Sequence, residues 1–336
     1  MSDRLRVGVI GSGAIVQVAH LPVLRKQKGV EVVAICDTDL PKARAIAERF
    51  EIKDAFDDIE DLLGHEELDA LVICTPNHLH EAHILAALSA DLHVLVEKPL
   101  ALTAASAQKI MRAAEKRERA VLVGMNHRYR PDAQIVRSFV QSGELGVIDS
   151  VRGSWHVFRP SRSQLGWRQR RELSGGGAML DLGLTVLDLA LWLAGNPVPE
   201  RVTASLDGTK GERSVEEAGS AFVICENGTS VFVDVTWRHF GAGERFGVGV
   251  RGSRGTAAIN PLTVWKELNG VAVDVSPTGS MGRENAFSAS YRAEWAHFEA
   301  IMKGEAKPPS LQEHVTLHRL LDAIYRSAAE GKQATV

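Results

Sequence analysis

Gly11 and Gly13 stand directly after the apolar run Leu5 to Ile10, and Asp37 follows 24 residues beyond Gly13 at the end of a second apolar run, EVVAICD. An apolar strand that turns through paired glycines into a helix presents backbone N–H groups and a helix N-terminus to a diphosphate. Gly11 permits the tight turn and Gly13, lacking a Cβ, lets the backbone approach phosphate oxygens. Ser12, Ala14 and Ile15 complete the loop. Asp37 stands where a ribose-binding carboxylate belongs; it would accept hydrogen bonds from a free ribose diol and repel a 2′-phosphate. The expected cofactor is therefore NAD, with NADP less favoured. Val16 occupies the place of the third glycine of the usual pattern, which predicts a wider separation of helix and strand.

A second group is Glu97-Lys98-Pro99, directly after the strand-like LHVLV. This charged pair falls at the carboxyl end of a buried parallel strand, where such sheets place their ligands. An ammonium beside a positively charged nicotinamide loses stability, so the pattern predicts a depressed Lys98 pKa and a role in proton transfer. The third group lies in GGGAMLDLGLTVLDLALWLAG, residues 175 to 195. Its leucines leave almost no polar side, which predicts a buried helix. Asp181, Thr185, Asp188 and Trp192 recur at four-, three- and four-residue intervals and form a polar stripe along it, expected to meet polar ligands or water.

The elements that must position these groups follow from periodicity. Apolar runs near 31–36, 69–74, 92–96 and 121–124 alternate with alanine-rich helical stretches at 41–49, 78–90 and 103–118, which predicts a doubly wound parallel sheet. Later the pattern changes to two-residue alternation: Val231, Val233, Val235 and Trp237 share one face, and Phe246, Val248 and Val250 another. With helical periodicity returning in YRAEWAHFEAIM and LHRLLDAIYRSA, the second part reads as an α+β domain with a large, mainly antiparallel open sheet. The expected division is 1–123 for a dinucleotide-binding Rossmann domain and 124–336 for a substrate-binding and oligomerisation domain. If helices cover one face of the open sheet, the other is a subunit interface, giving a homodimer or homotetramer.

Composition narrows the class. With 45% hydrophobic residues, 24% charged and a formal net charge of −3, nothing points to disorder, a membrane span or a nucleic-acid surface. The expected partner is a small molecule. Cys36, Cys74 and Cys225 lie in apolar runs without metal spacing, and no charged-then-apolar leader opens the chain; both fit a cytoplasmic location. His78, His80 and His83 after the strand LVIC raise a metal-hydrolase reading, but such a site has no use for Gly11, Gly13 and Asp37, and no metal is expected.

Taken together, the glycine loop, Thr75-Pro76-Asn77 with His80, Glu97-Lys98-Pro99, Trp167-Arg168 ahead of a triple glycine, and the Asp181 helix resemble the Gfo/Idh/MocA family, that of glucose–fructose oxidoreductase and inositol dehydrogenase. The resemblance covers nearly the whole chain. It implies a Rossmann domain, a large-sheet substrate domain, a held nicotinamide cofactor, and hydride transfer at a carbinol of a sugar, sugar acid or cyclitol. Lys98 matches the family's catalytic lysine and Asp181 its substrate-binding aspartate; Thr75, Pro76, Asn77, His80, Glu97 and Asn126 fall on the cofactor side, and Arg128, Trp167 and Arg168 on the substrate side.

Thr185 departs from the pattern. It stands where the better-known relatives carry a histidine acid/base, and a threonine does not titrate near neutral pH. Lys98 is then the titrating group, with Thr185 relaying or orienting the hydroxyl and His80, His127, His156 or His239 as substitutes. The same departure admits a redox-neutral, NAD-dependent glycosidase or a non-catalytic nucleotide binder as the alternative. Arg159, Arg162, Arg168, Arg170 and Arg171, clustered before the triple glycine, raise an anionic sugar as substrate.

Overall fold

In the computed structural model, which describes residues 4–65, 68–159, 166–207, 215–277 and 284–336, the chain forms two compact units. Arg162 and residues 208–214 of the polar connection lie outside the described residues.

The first unit comprises Met1–Asn126 and Ala286–His314. Its sheet holds β1 (Leu5–Ile10), β2 (Val30–Cys36), β3 (Asp54–Phe56), β4 (Ala70–Ile73), β5 (His93–Glu97) and β6 (Val121–Gly124), in the order β3-β2-β1-β4-β5-β6. Every pairing is parallel. The strands read as continuous apolar runs because both faces are covered, and β4 is buried at all four positions. The strand order reverses between β1 and β4, and ligands of such sheets lie beyond the strands' carboxyl ends at that point.

The helices of this unit are α1 (Leu21–Leu24), α2 (Leu40–Phe50), α3 (Ile59–Leu63), α4 (His80–Ser89) and α5 (Ala104–Arg117). Asp39, Asp58 and Thr103 cap α2, α3 and α5 by accepting backbone N–H bonds. A π-helical turn, Val16–His20, leads into α1. Residues 286–314, which the sequence reading assigned to the second domain, join this unit because Trp295 and Phe298, both fully buried, pack into one core cluster with Val7, Val9, Ile35, Val72 and Leu95.

The second unit comprises His127–Asn285 and Val315–Val336. It begins with α6 (Pro131–Gln141) and β7 (Ile148–His156), followed by α7 (Arg171–Ser174), a second π-helical turn at Met179–Gly183, and α8 (Leu184–Leu193). Then come β8 (Pro199–Asp207), β9 (Ala218–Cys225), β10 (Ser230–Thr236), β11 (Arg245–Gly252), β12 (Gly255–Ile259), β13 (Thr263–Leu268) and β14 (Val271–Asp274). After α9 (Ala286–Met302) of the first unit and α10 (Leu311–Glu330), β15 (Ala334–Thr335) closes the edge of a nine-stranded sheet ordered β14-β13-β12-β11-β7-β10-β9-β8-β15. The sheet is mainly antiparallel, as the alternation predicts, with β7 and β10 pairing in parallel, Val151 against Val231 and Trp155 against Val235.

The two-residue alternation is explained by the sheet's two faces. Val231, Val233 and Val235 are buried, while Phe222 and Phe232, paired across β9 and β10, stay 46% and 40% exposed on the other side. The stretch Arg171–Leu193 is long and apolar enough to cross a membrane by composition, but its most apolar window is 89% buried within the protein, which is what a core helix requires.

Candidate functional site

In the first unit, Gly11 follows β1 with φ +94°, and a Cβ there would lie 2.6 Å from the Cys74 carbonyl oxygen; only glycine closes this turn. Gly13 differs. A Cβ at this position would meet nothing within 4 Å, so the turn opens onto free space at the start of the helix, as a phosphate cradle requires. Ser12 is fully buried, and its backbone N–H and hydroxyl both donate to Asp37 Oδ2, at 2.8 and 2.6 Å. The Asp39 N–H donates to Oδ1 at 3.0 Å, and Lys42 Nζ lies 3.3 Å from Oδ2. Burial opposes ionisation of Asp37, but these donors and Lys42 outweigh it and hold the carboxyl below its ordinary value. Gln17 closes the loop by donating to the Ser12 carbonyl at 3.0 Å. Ala14 and Ile15 lead from this loop into the π turn.

Beyond β4, Thr75 Oγ1 and His83 Nδ1 share a hydrogen bond at 3.1 Å, and burial pushes His83 down to about 4. Pro76 and Asn77 open a short helical turn ahead of α4. His80 does not face outward with them: it is 1% exposed, and its Nδ1 and Nε2 lie 2.7 and 2.9 Å from the Pro99 and Thr75 carbonyl oxygens. It ties the segment after β4 to the segment after β5, and neither ring nitrogen is left to ligate a metal. Asn126 Nδ2 donates to Ser290 Oγ at 3.0 Å, which fastens the chain beyond β6 to α9.

Glu97, the last residue of β5, is buried and satisfied by three donors: His20 Nε2 at 2.9 Å, the Tyr291 hydroxyl at 3.1 Å and the Lys98 backbone N–H at 3.3 Å. The Trp295 indole donates to His20 Nδ1 at 3.0 Å, so the His20 proton sits on Nε2 and points at Glu97. Burial raises the Glu97 carboxyl, yet His20, Lys98 and Tyr291 bring it below its ordinary value. Lys98 is the next residue, at the carboxyl end of β5. His20, Tyr291 and Trp295 carry no motif, and their role becomes visible only once α9 packs on this unit. The one sequence signal for His20 is its place at the end of the short turn that follows the glycine loop.

In the second unit, Asp181 lies in the π turn, and its Oδ2 accepts from Arg159 Nη2 at 2.7 Å and from the Trp237 indole at 3.2 Å. π turns are rare and recur at functional sites; each of the two among the described residues holds a residue of interest, His20 and Asp181. The polar stripe does not act as one surface. Asp188 is 3% exposed and bound in bidentate fashion by Arg128, through Nε at 2.8 Å and Nη2 at 2.6 Å, so the Arg128 fork, expected to reach substrate, is committed to this carboxylate. Thr185 is 2% exposed and its hydroxyl oxygen has no hydrogen-bond partner. Trp167 and Arg168 form a stacked pair, with the guanidinium 4.5 Å from the indole centroid, and Arg168 is exposed.

The triple glycine has a steric cause. Gly175 takes φ +85°, and a Cβ at Gly177 would collide with the Glu216 carbonyl oxygen. Glu216 Oε1 in turn accepts from the N–H groups of Gly177 and Met179 at 2.8 and 3.0 Å and from the Tyr325 hydroxyl at 2.8 Å, placing a carboxylate at the N-terminus of the buried helix. Of the candidate histidines, His156 Nε2 bonds Asp234 Oδ2 at 2.7 Å and lies 5.8 Å from the His239 ring, while His127 packs edge-on against Phe246.

Comparison with known proteins adds to this geometry. Residues 5–125 match the family profile described as "Oxidoreductase family, NAD-binding Rossmann fold", and residues 133–258 match the GFO/IDH/MocA C-terminal domain. The chain is 27% identical to the D-glucoside 3-dehydrogenase of Escherichia coli (strain K12), over 98% of this chain and 97% of that one. It is 28% identical to the 1,5-anhydro-D-fructose reductase of Ensifer adhaerens, over 98% of each. Among solved structures, GenD2 from gentamicin A biosynthesis in complex with NAD superposes with a TM-score of 0.85 at 25% identity, covering 100% of this chain and 97% of that one.

Proposed function

Because the chain belongs to the Gfo/Idh/MocA family of NAD(P)-dependent oxidoreductases acting on CH–OH groups, we propose that it oxidises a carbinol of a sugar or cyclitol with NAD, or runs the same reaction in reverse. The bound nicotinamide supplies the hydride acceptor. Gly11, Ser12, Gly13, Ala14 and Ile15 would hold the diphosphate, and the open space over Gly13 fits that group. Asp37 would take the ribose diol. Its carboxylate, ionised by Ser12 and Lys42, disfavours a 2′-phosphate and so favours NAD over NADP. Thr75, Pro76, Asn77, Glu97 and Asn126 would line the nicotinamide side, with His80 holding the two loops together.

Lys98 takes the carbinol proton as the hydride leaves. The observation that carries this assignment is the seating of Lys98: it follows a Glu97 that three donors fix in place, at the carboxyl end of the strand two removed from the glycine turn. Asp181, ion-paired with Arg159, orients substrate hydroxyls. Thr185 has no proton to exchange near neutral pH, and its buried hydroxyl at most orients a neighbour. Trp167, half-buried, and the exposed Arg168 stacked on it supply a pair for the sugar or its anionic group. Self-association into a homodimer or homotetramer would use the open sheet face around Phe222 and Phe232, and sedimentation equilibrium tests it.

The test of function is absorbance at 340 nm with NAD+ and a panel of neutral sugars, sugar acids and cyclitols. Formation of NADH supports the assignment. Release of an aglycone from glycosides without net NADH would replace it with a redox-neutral glycosidase, the reading that Thr185 leaves open.

A further inference from the structure

Glu294, on α9, is fully buried, and neither of its carboxyl oxygens has a hydrogen-bond partner. This contrasts with Glu97, which faces it with three donors. Two carboxyl groups thus share one buried cluster whose side-chain and backbone donors serve only one of them. A buried carboxylate without a donor is far costlier than a neutral acid, so the cluster holds one negative charge, on Glu97, and one proton, on Glu294.

Among the acids of this cluster, Glu294 is the one able to change charge, and Lys98, the proton acceptor proposed above, is the basic group beside it. Cys74, just beyond β4, is a neutral thiol that burial pushes well up, and Tyr291, one turn earlier on α9, is a phenol held protonated by burial and by Glu97. His20, across Glu97, has both ring nitrogens engaged, by Trp295 and by Glu97 itself. His80 is held between two carbonyl oxygens, and Lys98 follows Glu97 in the chain. Burial, and then the charge of Glu97, push the Glu294 carboxyl well above its ordinary value, in accord with this distribution.

We infer that Glu294 is a proton store linked to the charge of the cofactor ring: it keeps its proton while the site is empty or binds the neutral, reduced ring, and releases it when the oxidised, positively charged ring binds beyond β4 and β5. The inference rests on the nicotinamide-binding role proposed above. A fixed cation arriving at this end of the sheet favours the ionised form of a nearby acid, and Glu294 is the acid with no other counter-charge. In the release step the O–H bond breaks, its electron pair stays on the carboxylate, and the proton passes to buffer. Oxidation of a carbinol yields one hydride and one proton. Lys98 takes that proton, as proposed above; once the ring is neutral, an ionised Glu294 has lost the charge that favoured it and regains its own proton from buffer.

The test is isothermal titration of NAD+ and of NADH into the whole protein at pH 7, in two buffers of different ionisation enthalpy, which counts protons exchanged on binding. We expect NAD+ to release about one proton per site more than NADH, and this excess to persist in Lys98→Met. Glu294→Gln should bind NAD+ and release about one proton fewer than the wild type. Equal proton counts for the two nucleotides, or a Glu294→Gln protein that releases as many protons as the wild type, would overturn the inference. Binding of neither nucleotide would remove the cofactor reading itself, whereas binding without proton release removes only this one. Should Glu294→Gln fail to fold, infrared difference spectra of the wild type decide. The carbonyl band of a protonated carboxyl group is lost on adding NAD+ and kept with NADH if the inference holds; an unchanged band in both overturns it.

Discussion

The Trp295 indole N–H donates to His20 Nδ1 at 3.0 Å across 275 residues of chain, and this one bond sets which His20 nitrogen carries the proton offered to Glu97. Trp295→Phe keeps an aromatic ring but leaves Nδ1 buried without a donor, a loss of about 1–3 kcal/mol. The expected result is a lower urea midpoint together with a change in His20 tautomer by 15N NMR. An unchanged tautomer would show that Glu97 alone sets it.

Gly13 and Gly177 should separate binding from folding. Gly13→Ala places a methyl group in open space and leaves thermal stability close to wild type, while NAD+ affinity falls because the methyl group occupies the phosphate cradle. Gly177→Ala drives a Cβ into the Glu216 backbone and lowers stability by several kcal/mol or prevents folding. A Gly13→Ala protein with undiminished cofactor affinity would place the diphosphate elsewhere.

The parallel sheet and the glycine loop were legible in the sequence because both depend on local signals. Strands buried on both faces read as apolar runs, and Gly11 is dictated by a turn within a few residues of it. The layer behind the site was not legible. Glu97 is held by His20, Tyr291 and Trp295, whose proximity depends on α9 returning to the first unit, and an amphipathic helical pattern does not say which sheet it will cover. The polar stripe departs from its helical spacing for a related reason. Asp188 reads as a free carboxylate on the helix, yet Arg128 satisfies it from 60 residues away, and the π turn at Met179–Gly183 has no counterpart in a regular helical period.

Lys98→Met removes the proposed proton acceptor and keeps the backbone N–H that donates to Glu97. With a substrate found at 340 nm, kcat should fall about 10²- to 10⁴-fold, with NAD+ affinity changed little. A variant that keeps wild-type kcat would move proton transfer to another residue, with His156, already bonded to Asp234, the first to test.

Stability should depend on pH through Glu294 with a definite sign. Its carboxyl is raised well above its ordinary value of 4.5 in the folded protein, so above that pH the folded state binds more protons than the unfolded state. Stability from this group is full below the unfolded value and declines as pH rises toward the folded one. Glu294→Gln should therefore gain on the wild type by about 1.4 kcal/mol for each pH unit across that window, seen in urea midpoints measured between mildly acid and mildly alkaline pH. Glu97, lowered in the folded state, acts oppositely: its contribution is present above its unfolded value and is lost as pH falls through its folded one. A midpoint difference for Glu294→Gln that does not vary with pH would place Glu294 in its charged form.

Hydride transfer itself is tested most directly with a sugar deuterated at the reacting carbinol, taken from whichever panel member reduces NAD+. The account predicts deuterium on C4 of the nicotinamide of the product and a slower rate for the labelled sugar when the chemical step is observed. Deuterium that stays in the sugar, or washes into water while the cofactor remains unlabelled, would contradict it.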